Sequence, residues 1–291
     1  MTARKAVHPT PENRDTLQTE GIEERYERYK EKIKDYTIMD DIFMRNVLKK
    51  KECTEYILQV VMNQKDLQVI DQILQKDYKN LQGRSSVLDC VARDKTNRQF
   101  NVEIQGENEG ASPKRARYHS GLLDMNTLNP GESYDKLPET YIIFITRRDV
   151  LGYNRTICHI DRIVREEKEA FKDREHIIYV NTKKREDTEL GRLMHDLNCK
   201  NASEMNNKIL ASRVYELKET EKGVEEMCRD MEEIYNEGEQ NGFERGAEKK
   251  AKEIVLSMAE EGMELETIAK LVKISVAKVR SWTEEGLVVT R

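Results

Sequence analysis

Two acidic residues, Asp89 and Glu103, flank the polar stretch RDKTNR in the first half of the chain. Thr96 lies at the centre of this stretch, seven residues from each of them. If the flanking runs fold back as a hairpin about Thr96, Asp89 lies opposite Glu103 with Cβ atoms about 5 Å apart. Like charges at that distance destabilise a sheet. A divalent cation is the natural compensation, because Mg²⁺ binds one or two carboxylates together with water and substrate phosphate.

The second run of this hairpin, QFNVEIQ, alternates between polar and apolar residues. Side chains two apart share a face of a strand. The polar face therefore carries Gln99, Asn101, Glu103 and Gln105, and the apolar face carries Phe100, Val102 and Ile104. We expect the apolar face to lie on a core. Spacing alone leaves open a solvated hairpin whose acidic residues lie on its water-facing side.

Helices and further strands are predicted around the hairpin. Apolar residues at helical spacing predict one or two helices in residues 39–64, and Ser112 followed by Pro113 marks a helix start. Strand-like runs are ETYIIFIT, RTICHIDRI and HIIYVNT, and LQVIDQILQ could be a strand or a helix, with a strand favoured. After about residue 185 only helical patterns follow. This order predicts an α/β or α+β domain with a mixed sheet.

Composition limits the class of protein. The 291 residues carry a formal net charge of −5, so a surface for nucleic acid would have to be local. Five cysteines without a CxxC pair indicate reduced thiols. The absence of a secretory pattern and of a long apolar run predicts a cytoplasmic protein outside the membrane. The five histidines have no zinc-like spacing, and we assign none a catalytic role: His8, His119, His159, His176 and His195.

Six segments in order resemble the PD-(D/E)XK nuclease superfamily, and more specifically the recombination-promoting nuclease / putative transposase family. They are DYTIMDDIFMRNVL (35–48), VLDCVARD (87–94), FNVEIQ (100–105), PKRARYHSGLLD (113–124), GESYDKLPETYIIFIT (131–146) and YVNT (179–182). The resemblance covers roughly residues 35–200. It implies a restriction-endonuclease-like mixed sheet flanked by helices, and a DNA endonuclease that depends on Mg²⁺ or Mn²⁺ and acts in recombination or mobile elements.

The resemblance also implies roles for individual residues. Asp89 and Glu103 match the metal-binding carboxylates, and the backbone carbonyl of Ile104 would be a third ligand. Asp41 matches the acidic position of the N-terminal helical motif. Gln105 stands where most of the superfamily has Lys, although Gln is familiar in this subfamily.

Gln105 can donate a hydrogen bond to water or phosphate but carries no charge. The electrostatic contribution at this position is then weaker, unless Lys114 or Arg115 reaches in. Tyr118, with Arg115 and Arg117, matches the family's Arg-x-x-Tyr helix, where it could donate to phosphate or to the attacking water. A tyrosine packed between helix and sheet is the alternative.

A local basic patch and a C-terminal motif are the candidate DNA contacts. Lys114, Arg115 and Arg117 lie at a helix start, which favours phosphate, although a solvated helix end would look the same. Residues 262–286 resemble a helix-turn-helix with Ser275 as the second cap. Its possible phosphate contacts are Lys273, Lys278 and Arg280. A packing or oligomerisation module is the alternative for this unit.

These observations predict four segments: a disordered tail (1–20), a nuclease-like domain (21–200), a helical linker (201–253) and an all-helical hairpin (254–291). DNA is the expected partner, no membrane contact is expected, and assembly as a homodimer stays open. A non-catalytic DNA- or protein-binding protein that keeps the nuclease scaffold is the main alternative function. A helix-turn-helix transcription regulator is the third.

Overall fold

The computed structural model describes residues 21–78, 86–106, 110–184 and 186–289. The predicted tail lies outside these ranges. The helices are α1 Ile22–Asp35, α2 Asp41–Leu48, α3 Lys51–Val61, α4 Pro113–Met125, α5 Glu189–Leu197, α6 Lys208–Glu219, α7 Glu221–Glu260, α8 Leu265–Val272 and α9 Val276–Val289. The strands are β1 Val69–Tyr78, β2 Ser86–Asp94, β3 Gln99–Gln105, β4 Thr140–Thr146, β5 Ile157–Ile160, β6 Ile163–Val164, β7 Glu169–Ala170 and β8 Glu175–Asn181.

Six of these strands form one mixed sheet in the order β1-β2-β3-β4-β8-β5. β1, β2 and β3 are antiparallel neighbours, β3, β4 and β8 run parallel, and β5 pairs antiparallel with β8. The predicted mixed sheet flanked by helices is confirmed. β3 is an inner strand: it pairs with β2 as far as Val102 and with β4 as far as Gln105.

Apolar residues surround the centre of the sheet. The β4 residues Ile142, Ile143, Phe144 and Ile145 are each 0% exposed, as an uninterrupted apolar run predicts for a strand covered on both faces. Phe144 belongs to one buried cluster with Leu88 of β2 and with the α4 residues Ala116, Leu122 and Leu123. This packing holds α4 against the strands that carry the two acidic residues.

Helix α4 begins where the sequence predicts. The Arg115 backbone N–H donates to Ser112 Oγ at 3.2 Å, and Pro113 occupies the first turn. Ser112 satisfies one of the free N–H groups of the helix start, and proline needs none there. The start of α4 is therefore fixed eight residues after the end of β3.

The chain divides into two compact units, one up to Asp230 and one from Met231 onward. In the first unit, α6 lies beside α2: the Arg213 guanidinium donates to the Asn46 carbonyl at 2.8 Å. The predicted borders at residues 200 and 253 stay predictions.

The second unit contains the predicted C-terminal helical hairpin. Its core joins three helices through Val255 of α7, Ile268 and Ala269 of α8, and Val279 and Trp282 of α9. Lys273 ends α8 in the left-handed region with φ +59°, and Ser275 Oγ accepts the Lys278 N–H at 3.2 Å. In the described part of the chain, no helix is both long enough and apolar enough to cross a membrane.

Candidate active site

Strands β2 and β3 pair in the register predicted from a centre at Thr96. Cys90 lies opposite Val102, and Asp89 and Glu103 are the next residues beyond this pair. The paired ladder ends at Cys90 and Val102. The two acidic residues therefore lie at a fork, where the two strands begin to part.

At this fork each carboxylate accepts a backbone N–H from the opposite strand. The Asp89 N–H donates to Glu103 Oε1 at 3.2 Å, and the Ile104 N–H donates to Asp89 Oδ2 at 3.2 Å. The carboxylates thus take the place of ladder partners between the strands. The two carboxyl groups therefore lie together in the opening between β2 and β3.

The polar face of β3 is buried. Glu103 is 0% exposed and Asp89 is 9% exposed. The alternative of a solvated hairpin with acidic residues on its water-facing side is therefore wrong. Two buried carboxylates destabilise a fold unless hydrogen bonds and positive charge compensate them.

Burial raises the pKa of both carboxyl groups. At Asp89 burial is the largest cause and the charge of Asp41 adds to it, while hydrogen bonds from the Ile104 backbone and Gln75 act against it. At Glu103 burial is again the largest cause and the charge of Asp89 follows. A cation bound between the two would favour the ionised form of both.

Two glutamine amides complete the surroundings of Asp89. Gln105 Nε2 donates to Asp89 Oδ2 at 3.3 Å, and Gln75 Nε2 donates to Oδ1 at 3.4 Å. Gln105 is among the predicted site residues. Gln75 is not, because it comes from β1 with φ +49°, a left-handed backbone that the strand pattern does not indicate.

Helix α4 brings Arg115 and His119, one turn apart, to Glu103. Arg115 Nη2 lies 3.4 Å from Glu103 Oε2, and His119 Nδ1 lies 3.6 Å from Oε1. Arg115 Nε donates to His119 Nε2 at 3.2 Å. The prediction gives His119 no role. The sequence could have indicated this role, because His119 lies four residues after Arg115 and residues at that spacing share one face of a helix.

His119 is a neutral ring in this position. It is 1% exposed and stacks on Phe144, with ring centroids 5.9 Å apart. Burial, and then the charge of Arg115, lower the pKa of His119 to about 4. The ring therefore adds no charge at pH 7, and its Nε2 is free to accept from Arg115.

The other predicted residues of α4 lie on a different face of the helix. Tyr118, which is 38% exposed, lines a shallow groove of about 220 Å³. Lys114 and Arg117 line the same groove. The structure thus separates the predicted basic patch: Arg115 turns toward the carboxylates and the other two basic side chains toward the groove.

Asp41 lies in the first turn of α2, and its negative charge contributes, after burial, to the raised pKa of Asp89. Its carboxylate is exposed and pairs with Arg45 Nη2 at 2.6 Å. The neighbouring Asp40 instead pairs with Arg147 Nη2 at 2.9 Å and fixes the loop before α2. Asp41 is the acidic side chain of this motif that influences the site.

The basic residues of the C-terminal unit differ in how they are held. Lys278 Nζ pairs with Glu248 at 2.8 Å and lies 5.1 Å from the centre of the Trp282 ring. Lys273 and Arg280 are exposed. A phosphate contact by Lys278 would have to compete with Glu248.

A separate group, His195, Asp196 and Cys199, also has ligand atoms close enough for a metal ion. The Asp196 carboxylate accepts the backbone N–H groups of Asn206 and Asn207 at 2.8 and 2.7 Å. It thereby closes the connection between α5 and α6. We assign this group a structural role.

The fork between β2 and β3 suits a hard divalent cation. Its donors are carboxylates, which such ions prefer, and burial raises the pKa of each carboxyl group, an effect that a bound cation would oppose. The Ile104 carbonyl belongs to the residue whose N–H binds Asp89. The carboxylate oxygens of Asp89 and Glu103 and the carbonyl oxygen of Ile104 would hold the ion.

Comparisons with known proteins agree with this geometry. A model of the family described as PD-(D/E)XK nuclease family transposase matches residues 54–253, which include the fork and α4. No curated protein and no solved structure matches the chain. The mixed sheet with flanking helices is the restriction-endonuclease-like architecture of that superfamily. The match spans more than half of the chain and indicates a nuclease- or transposase-like function. The chain therefore belongs to the family of PD-(D/E)XK nuclease family transposases.

Proposed function

We propose that this protein is a metal-dependent DNA endonuclease that hydrolyses phosphodiester bonds. The observation that supports it most is the burial of Asp89 and Glu103 side by side at the fork, with the pKa of both raised. The proposed ligands of Mg²⁺ or Mn²⁺ are Asp89, Glu103 and the Ile104 carbonyl. Asp41 is proposed to add negative charge beside the ion. The family points to DNA as the substrate and to recombination or mobile elements as the context.

The residues around the proposed ion are assigned the other tasks, which are to orient the water and to hold the DNA. When bound, a divalent cation polarises the phosphoryl oxygen and makes water a better nucleophile near neutral pH. The Gln105 amide, 3.3 Å from Asp89, is placed to donate to the attacking water or to a phosphate oxygen. Tyr118, Lys114 and Arg117, along the α4 groove, are proposed to hold the DNA backbone.

Plasmid nicking with Mg²⁺ or Mn²⁺ tests this function. Asp89→Asn and Glu103→Gln keep the side-chain shapes and remove the charge. Each is expected to lower the cleavage rate on the order of 10³-fold. Asp71→Asn, an exposed acid on the neighbouring strand β1, is the matched control and should cleave like wild type. Equal cleavage by wild type, Asp89→Asn and Glu103→Gln would refute the proposal.

A non-catalytic DNA-binding protein on the nuclease scaffold is the second candidate. The neutral Gln105 and the net charge of −5 favour it. In that case wild type shifts DNA in a gel and leaves plasmids intact at every metal concentration. The nicking assay therefore separates the two candidates.

A further inference from the structure

The proposed reaction needs more positive charge than one divalent cation supplies. Two ionised carboxylates cancel the charge of the ion. A phosphodiester adds one negative charge, and attack on it adds another. Gln105, which ends beside Asp89, is neutral. Some other side chain has to offset the charge that develops on the phosphate.

Arg115 lies where such a side chain is needed. Its Nη2 is 3.4 Å from Glu103 Oε2. A Cβ built on Gly110 would lie 2.0 Å from Gln105 Oε1 and 3.0 Å from Arg115 Nη1. The Gln105 amide and the Arg115 guanidinium therefore converge on the same glycine, which has no side chain to separate them.

The guanidinium is oriented but not locked. Arg115 Nε is held at 3.2 Å by His119 Nε2, and His119 is itself buried. The Arg115 side chain is 36% exposed, and its single contact of 3.4 Å with Glu103 is long for a charged pair. His119 thus orients the planar guanidinium through Nε, and because the contact with Glu103 is long, the side chain can shift as a whole toward a bound phosphate.

We propose that Arg115, positioned by His119, supplies from α4 the positive charge that strand β3 lacks at Gln105. It neutralises Glu103 while no metal is bound, and it faces the scissile phosphate once a divalent cation occupies the carboxylates. This inference rests on the proposed nuclease function.

Four variants test it: Arg115→Ala, Arg115→Lys, the double variant Arg115→Ala/Gln105→Lys, and Arg165→Ala. Arg165 is an exposed arginine in the β6–β7 connection and serves as the matched control. Single-turnover cleavage is measured at saturating DNA and Mn²⁺. The dissociation constant of Mn²⁺ is measured separately, without DNA, from the electron paramagnetic resonance signal of the free ion.

Arg115→Ala is expected to lower the cleavage rate constant roughly 100-fold, the effect of losing one donor to a developing charge. It should also bind Mn²⁺ about tenfold more tightly, because a competing cation has left Glu103. Arg115→Lys should stay within about tenfold of wild type, since it keeps the charge but not the planar geometry. Gln105→Lys should restore at least about tenfold of the rate lost in Arg115→Ala, by returning a charge to the same place. Arg165→Ala should match wild type in both measurements.

Any of three results overturns the inference: Arg115→Ala cleaves at the wild-type rate, it binds Mn²⁺ less tightly than wild type, or Gln105→Lys restores nothing. A structural role alone would weaken Mn²⁺ binding and would not respond to a lysine on another element. Asp89→Asn is run in parallel to separate the two proposals. If it abolishes cleavage while Arg115→Ala does not, the nuclease function stands and only this inference falls.

Discussion

Glu103 destabilises the metal-free fold, because burial and the neighbouring charge of Asp89 raise its pKa. An acid whose pKa is higher in the folded state binds its proton more tightly there. The free energy of unfolding therefore falls as pH rises above the carboxyl group's ordinary pKa of about 4. A cation bound between the two carboxylates would reverse this loss of stability. A buried pair of carboxyl groups with raised pKa values therefore indicates a functional site more strongly than the presence of an aspartate or a glutamate alone.

Glu103→Gln should consequently stabilise the protein when metal is removed. At pH 8 in EDTA we expect a gain on the order of 1 kcal/mol in the free energy of unfolding. The gain should be much smaller at pH 4, because Glu103 is then protonated in the folded state and mostly protonated in the unfolded state. Urea unfolding at the two pH values measures it. A variant less stable than wild type at pH 8 would show that Glu103 does not carry this cost.

Gly110 is the second residue whose identity the site requires. An alanine there would place its Cβ 2.0 Å from Gln105 Oε1. The Gln105 amide must then move from Asp89. We expect Gly110→Ala to lower the cleavage rate roughly tenfold with little loss of stability, since only a flexible side chain has to shift. Gly238→Ala, where no atom lies within 4 Å, is the control. Full activity of Gly110→Ala would mean that the position of the Gln105 amide is unimportant.

At the scale of elements, the hairpin of β2 and β3 aligns the site, and its turn depends on Asp94. This carboxylate, 1% exposed, accepts the backbone N–H groups of Thr96 and Arg98 at 2.9 Å each and Arg98 Nε at 2.8 Å. Asp94 thus fixes the turn whose centre sets the Asp89–Glu103 register.

Asp94→Ala is expected to destabilise the protein by roughly 1–3 kcal/mol, because it leaves the partly buried backbone N–H groups of Thr96 and Arg98 without an acceptor. Mn²⁺ binding should weaken in the same variant, since the register of the fork depends on the turn. Urea unfolding and Mn²⁺ titration measure the two effects. Lys95→Ala, an exposed neighbour in the turn, is the control. If Asp94→Ala is less stable but binds Mn²⁺ with the wild-type affinity, the geometry of the metal site does not depend on this turn.

Local sequence patterns predict the helices and strands well, but they do not predict which other helices and strands pack against them. Charge spacing about Thr96 predicts the register, and Ser112 with Pro113 predicts the start of α4; the structure confirms both. Parity tells which side chains share a face of β3 but not what covers that face. The burial of Glu103 depends on β2, β4 and α4 together. For the same reason Gln75 and His119 were missed, because each contacts a site residue on another element.

At the scale of the whole molecule, a net charge of −5 means that DNA has to be bound by a local patch. In the first unit, the α4 groove, with Lys114 and Arg117 in its lining, is the patch proposed for this contact. In the second unit Lys273 and Arg280 are exposed, while Lys278 is paired with Glu248. Binding through phosphate contacts weakens with salt in proportion to their number.

Lys114→Ala and Arg117→Ala should each reduce the slope of log affinity against log salt by about 1. Lys278→Ala should change it less, because this lysine already has an acidic partner. Fluorescence anisotropy with a labelled duplex, from low to physiological salt, measures the slopes. If both α4 variants keep the wild-type slope, the DNA lies elsewhere on the protein.

Asp89 and Glu103 are proposed to meet in order to hold a divalent cation. Anomalous diffraction from crystals soaked in Mn²⁺ tests it most directly, because it locates the ion without relying on activity. We predict a single strong peak at the fork of β2 and β3, about 2.1–2.2 Å from a carboxylate oxygen of each residue. A fork without a peak at saturating Mn²⁺, or a peak only beside His195 and Cys199, would contradict the account.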